Sequence, residues 1–347
     1  MKKLFLFLVC PLLAGILMPS PCTARDGEAA LRRSYQAFLA RPSSAMPIQV
    51  VSQTGDEIEE AEIYAVLKRD FASLAEILSS PGNWCEIFPV ILNIKACTWK
   101  AREGKGRPQL TFYVGRKYYE APGEAYELKY DFLLRENRKD FFHVALVAPE
   151  GPFGTSDYRL EVKAIPVAQG SFLSVRTSHR SSFASRMATR SYLATLGRDK
   201  IGFTRVGGDK DNPEYIKGVR GMVERNAVRY YLALQAYLET RHMPPAKRYS
   251  AATELWYDLT EQYHDQLFEL EKSRYLDIKR RERQQQERLQ EKNEQKVGKK
   301  TAILHFSMAG DKMFIEYSKN FENSIRLKQN GGNSWKSCWS SSSFSSS

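Results

Sequence analysis

The residues that could do chemistry are few and scattered. The five histidines, His143, His179, His242, His264 and His305, have no neighbour at metal-ligand spacing. No HExxH, GxSxG, phosphate loop ending in GK[ST] or GxGxxG is present, so the motif-borne enzyme classes have no support. Asp209, Asp211 and Asn212 open like a calcium loop. Glu214 then stands where that loop needs glycine, and Arg220 where it needs a bidentate glutamate. A plain acidic turn is expected instead. Ser178, His179 and Ser182 are close in sequence, but a nucleophile and its base must face one another in space, which adjacency does not provide. No catalytic residue, metal or cofactor is expected. The aromatics say more. Tyr126, Tyr130 and Phe132 share one face of a strand pattern, and Tyr230, Tyr231 and Tyr237 lie on a long helix pattern. They either fill a core between sheet and helix or line a cavity there, with hydroxyls to orient an apolar ligand.

The elements that would position these residues are legible as changes of period. Ala61, Ile63, Ala65 and Leu67 alternate with Glu62, Tyr64, Val66 and Lys68, a strand over 60–68 with one buried face. Residues 70–78 switch to helical spacing behind Asp70, a plausible N-cap, and Pro81-Gly82 ends that helix. Strands are expected at 90–99, 110–119, 126–135, 141–147, 157–164 and 172–180, separated by turn clusters. Such a run argues for an antiparallel meander covered on one face. Helices follow at 184–196 and 219–238, with a short strand at 201–206 and a loop at 207–213 between them. The second helix carries the stripe Val223, Ala227, Tyr230, Leu234 and Leu238. Residues 251–295 are helical again. Leu255, Leu259, Tyr263 and Leu267 form a stripe, then 279–296 is almost wholly charged or Gln and reads as a solvated helix or disordered. A short helix is expected at 25–41, and 297–347 ends in a serine-dominated, low-complexity tail.

The N-terminus has three parts: Lys2 and Lys3, an uncharged apolar run over 4–18, and a small-residue exit at 19–24. That is the pattern of a cleavable signal peptide, residues 1–24, cut between Ala24 and Arg25. The run is shorter than the roughly 20 residues a membrane span needs. A periplasmic or secreted location is expected. Removal of Lys2 and Lys3 would lower the formal net charge from +12 to +10. That excess suits an anionic membrane or cell-wall surface, and nucleic acid is not expected in that compartment. Cys85, Cys97 and Cys338 survive cleavage. Cys85 and Cys97 are expected to form a disulfide worth about 3 kcal/mol by the chain-entropy argument.

A strand (61–68), a short helix (71–78), the turn containing Trp84 and Pro89, a long meander and the helix at 219–238 follow in an order that resembles the START-like, helix-grip superfamily of lipid-transfer and polyketide cyclase-like proteins. The resemblance covers residues 47–241. It implies an α+β fold in which a curved antiparallel sheet grips the long C-terminal helix, here with a charged helical extension over 249–296. The helix and short strand within 184–206 depart from the pattern, and no catalytic residue carries over. The resemblance also implies an apolar or amphipathic, lipid-like ligand held between sheet and helix. Tyr126, Tyr130, Phe132, Leu160, Val162, Tyr230 and Leu234 are the candidate lining. A cyclase- or hydrolase-like enzyme on the same scaffold is one alternative. The other is an interaction protein with a filled core that docks a partner through its C-terminal helices.

Overall fold

A computed structural model describes residues 22–314, apart from 43–45, 56, 102–105, 196, 210, 305–306 and 310–311, with side chains over 26–295. Most of the signal segment, the tail beyond 314 and Cys338 therefore lie outside the described residues. The cleavage position Ala24–Arg25 falls in the first turns of α1 (Cys22–Leu39).

The chain then runs β1 (Ile48–Thr54), β2 (Ile58–Leu67), α2 (Phe71–Ser79), α3 (Pro81–Ile87), β3 (Ile94–Lys100), β4 (Gln109–Val114), β5 (Tyr126–Asn137), β6 (Phe142–Glu150), β7 (Thr155–Val167) and β8 (Gly170–Ser181). After these come α4 (Phe183–Ala194), the small hairpin β9 (Arg205–Gly208) and β10 (Pro213–Tyr215), α5 (Gly218–Thr240), α6 (Pro245–Glu261), α7 (His264–Leu267) and α8 (Lys272–Leu304). A last short hairpin joins β11 (Ser307–Ala309) and β12 (Lys312–Phe314). The eight long strands make one antiparallel sheet in the order β1-β2-β8-β7-β6-β5-β4-β3. The expected α+β helix-grip architecture is the one found.

Each layer follows from the strand periods. In β2, Ala61, Ile63, Ala65 and Leu67 are buried and their neighbours are half-exposed. The inner face packs on α5, which lies against β1, β2 and β8. Asp70 caps α2 by accepting from Ser73 N at 2.8 Å, and Trp84 of α3 is 1 % exposed beneath the sheet. The outer face carries a second, smaller core, in which Leu31, Tyr35 and Phe38 of α1 pack on Phe172 and Ile165. That α1 packs on the sheet, and that β1 pairs with β2, had no counterpart in the sequence reading. The expected strand at 90–99 starts later, because Phe88–Val90 is a 3-10 turn. Of the strand expected at 201–206 only 205–206 is strand; β9 runs on into the expected loop and pairs with β10 across an Asx turn in which Asp209 accepts from Asp211 N and Asn212 N.

The disulfide joins Cys85 of α3 to Cys97 of β3, with Cα atoms 4.8 Å apart.

The charged helix departs most from expectation. Instead of standing in solvent, α8 lies along β3, burying Tyr275, Lys279, Glu282 and Gln286. Gln286 Oε1 accepts from Cys97 N at 2.9 Å, while its Nε2 donates to Cys85 O at 3.1 Å. Gln290 accepts from Trp99 N and donates to Trp99 O, at 2.9 and 3.1 Å. Four residues of helix rise about 6 Å and two residues of strand about 6.6 Å, so successive glutamines meet alternate strand residues. A polar stripe can seat a helix when its partner is a row of unpaired backbone groups.

Between α7 and α8, Glu269 gathers Lys117, Lys200 and Arg229, the last two at 3.1 and 2.6 Å. Burial alone would raise the Glu269 pKa, but these cations hold it down at about 2, against an ordinary 4.5. A carboxyl with a depressed folded pKa adds stability that is present above its unfolded pKa and lost as pH falls through the folded one. Glu269→Gln should therefore cost roughly 1.5–3 kcal/mol at neutral pH, the range for hydrogen bonds to charged groups. Urea unfolding of variant and wild type should converge as pH drops from 4.5 towards 2. A deficit that is constant over that window would rule out the charge as its origin.

Candidate functional site

Between the inner face of the sheet, α5 and α4 lies a cavity of about 460 Å³, within the size range of small-molecule sites. Leu128 and Tyr130 of β5, Leu160 of β7 and Thr177 of β8 form the sheet wall. Met222, Val223, Asn226 and Tyr230 come from α5, and Ser185, Ala188, Thr189 and Tyr192 from α4. The 3-10 turn Pro152–Gly154 adds Pro152 and Phe153 at the rim.

Of the seven candidate lining residues, the structure brings Tyr130, Leu160 and Tyr230 together at this cavity. It places the other four elsewhere. Tyr126 is 41 % exposed at the start of β5. Phe132, two positions beyond Tyr130 on the same face, meets Trp84 edge-on at 6.2 Å between ring centres. Val162 and Leu234 are buried in the packed core. The inner face is longer than the cavity, and α2 and α3 fill the rest of it.

The tyrosines are among the polar points of a mainly apolar wall. The Tyr130 and Tyr230 hydroxyls make no hydrogen bond among the described residues, whereas Tyr158 OH meets Thr155 Oγ1 at 2.8 Å. Burial raises all three pKa values, that of Tyr230 to about 12, and the proximity of Tyr230 and Tyr158 pushes Tyr130 further. At neutral pH all three are protonated, and the Tyr130 and Tyr230 hydroxyls are free to donate to an acceptor oxygen.

One end of the cavity is charged. Glu59 and His179 are direct cross-strand partners, with His179 Nε2 at 3.3 Å from Glu59 Oε2. Oε2 has no well-aligned hydrogen bond, so the contact is an ion-pair distance. Ser181 Oγ donates to Oε1 at 2.9 Å, and the His179 ring stacks on Tyr158 at 4.9 Å. Burial would raise the Glu59 pKa, but His179, Ser181 and Arg186 outweigh it and hold the carboxyl below its ordinary range. Sequence reasoning missed this pair. The available signal was Glu59 in the inward register of Ala61, Ile63 and Ala65, a carboxylate where the pattern calls for an apolar residue. Among the described residues no group of three His, Cys, Asp or Glu could hold a metal ion, and no helix is long and apolar enough to cross a membrane.

The strand order and the seat of α5 define a helix-grip α+β protein with a ligand-sized cavity. No protein-family model and no curated protein matches the chain. Among solved structures it is similar to major latex-like protein 151 of Panax ginseng, at 11 % identity and a TM-score of 0.32, over 54 % of this chain and 99 % of that one. It is similar to the Zhui aromatase/cyclase of Streptomyces sp. R1128, at 15 % identity and 0.32, over 55 % and 98 %. A START superfamily protein from Mycobacterium smegmatis matches at 16 % and 0.27, over 41 % and 90 %.

Proposed function

We propose that the chain is an exported binding protein that holds one amphipathic, lipid-like small molecule between sheet and α5, its apolar body in the cavity and an acceptor oxygen at Tyr130 and Tyr230. The observation that carries this reading is a mainly apolar cavity in which, away from the Glu59–His179 end, two tyrosine hydroxyls stand without a hydrogen-bond partner among the described residues. The driving force is the transfer of apolar surface out of water, about 25 cal/mol per Å². Export is supported by the three-part N-terminus, and the Cys85–Cys97 disulfide is compatible with it.

A bulky residue in the cavity wall should block uptake without unfolding the protein. Val223 is buried but lines the cavity, so a tryptophan there has the hollow to grow into, and the urea midpoint should move little while uptake of an apolar fluorescent probe falls at least about tenfold, the effect of losing 1.4 kcal/mol. Strong destabilisation, with no probe uptake by the wild type, would leave a filled core and defeat the reading.

A second reading is favoured by the Glu59–His179 pair, since a carboxylate-held imidazole at a cavity can move a proton at a bound molecule. Native mass spectrometry of the protein isolated from its own cells separates the two. A co-purifying compound that survives incubation unchanged supports binding. Conversion by the wild type, absent in His179→Asn, supports the enzyme.

A further inference from the structure

Large apolar side chains gather on the outside at the lip of the cavity. Phe153 is 90 % exposed, Phe183 73 % and Met187 45 %. Phe183 and Met187 are one turn apart on α4, which packs against the turn that carries Phe153. Phe153 has a φ of +57°, a backbone region that bulky residues rarely adopt. Helix α4 faces the wrong way for a core helix. Only Ser185 and Leu193 are buried, while Phe183 and Met187 face water.

Its charges have one sign. Arg186 and Arg190 flank the apolar face, and α4 contains no Asp or Glu. Arg186 is half-buried, donating to Ser181 O at 2.9 Å and lying in the field of Glu59. The nearby carboxylates are already engaged: Glu57 and Asp157 with Arg180, and Glu59 with His179. Arg190 has no ionic partner among the described residues. A helix with outward apolar residues, flanking arginines and no acid is built for an interface between hydrocarbon and negative charge. Ala188, Thr189 and Tyr192 of the same helix line the cavity.

We propose that α4 and the Pro152–Gly154 turn dock the mouth of the cavity on an anionic phospholipid bilayer. Phe153, Phe183 and Met187 enter the boundary between headgroups and acyl chains, and the exposed Arg190 meets the lipid phosphates. This docking is measurable whether or not the cavity takes a ligand, so it stands or falls apart from the binding reading.

The test is hydrogen exchange of the full chain with and without vesicles, either phosphatidylglycerol–phosphatidylcholine or phosphatidylcholine alone. This local readout separates the lip from the apolar segment at 4–18, which could itself bind vesicles. Exchange over 183–194 should slow severalfold with anionic vesicles and little with neutral ones. In the triple variant Phe153→Ser, Phe183→Ser, Met187→Ser that slowing should be lost. Arg190→Glu should weaken it about fivefold or more, since one basic side chain near an anionic surface contributes about that factor. All four side chains are exposed, and an unchanged circular dichroism melt verifies that the variants fold. Unchanged exchange at 183–194, or slowing that persists in the triple variant, would overturn the proposal. Slowing at high protein concentration without vesicles, with a doubled mass by light scattering, would overturn it in favour of a second copy of the chain.

Discussion

Glu282→Ala is expected to cost about 3–5 kcal/mol, the price of removing one partner from a buried ionic cluster. Lys95 Nζ has three acceptors: Leu92 O at 2.9 Å, Tyr118 O at 2.7 Å and Glu282 Oε1 at 3.1 Å. Lys279 Nζ has Ile91 O at 2.7 Å, Ile94 O at 2.9 Å and Glu282 Oε2 at 2.8 Å. Each ammonium thus meets three acceptors for its three protons, and one carboxylate serves two cations. All three side chains are almost wholly excluded from water. Burial and the neighbouring Lys95 lower the Lys279 pKa to about 8, despite the attraction of Glu282. Without Glu282 both ammoniums keep their carbonyls and lose the one counter-charge they have among the described residues. Removing one cation instead, as in Lys279→Met, relieves the charge imbalance and leaves two carbonyls unpaired, so it should cost less. Urea unfolding at pH 7 measures both. A loss below about 1 kcal/mol for Glu282→Ala, the scale of an exposed pair, would show that α8 is not seated on β3.

Leu234→Ala should cost about 2–5 kcal/mol, because it leaves a hole in a close-packed region. Leu234 is 3 % exposed in the main core and takes no part in the cavity wall. Leu234→Trp should overpack the same region and cost at least about 1–3 kcal/mol. Val223, three turns earlier and about 16 Å away along the helix axis, lies at the hollow end. The same apolar stripe on α5 therefore spans two regimes, one where volume is fixed and one where it is spare. If Leu234→Trp were tolerated as well as Val223→Trp, the hollow would extend along the whole helix, and the boundary drawn here would be wrong.

The meander, α2 and α5 were legible because burial on one face writes itself as a period of two or of about 3.6. Position along a face was not. Tyr126, Tyr130 and Phe132 share a register, but only the packing of α3 decides which of them meets water, cavity or Trp84. Residues 279–296 misled for a different reason. Tyr275, Lys279, Glu282, Gln286 and Gln290 do fall at helical spacing, yet a search for apolar periodicity does not see a stripe whose partner is peptide groups. Glu59 and His179 are 120 residues apart in sequence, and only the β2–β8 register brings them together.

The seating of Gln286 and Gln290 on β3 also sets an order of events in time. The paired positions lie 189 and 191 residues apart in sequence. As the chain is made from its N-terminus, β3 can pair with β4 almost at once, while its other side waits until nearly all the rest of the fold has emerged. During that interval the N–H of Cys97 and the N–H and C=O of Trp99 lack these partners, a template on which strands of other chains add. The glutamine stripe is therefore a late closure, and a chain interrupted before residue 286 would carry every strand of the large sheet with one edge left open to aggregation.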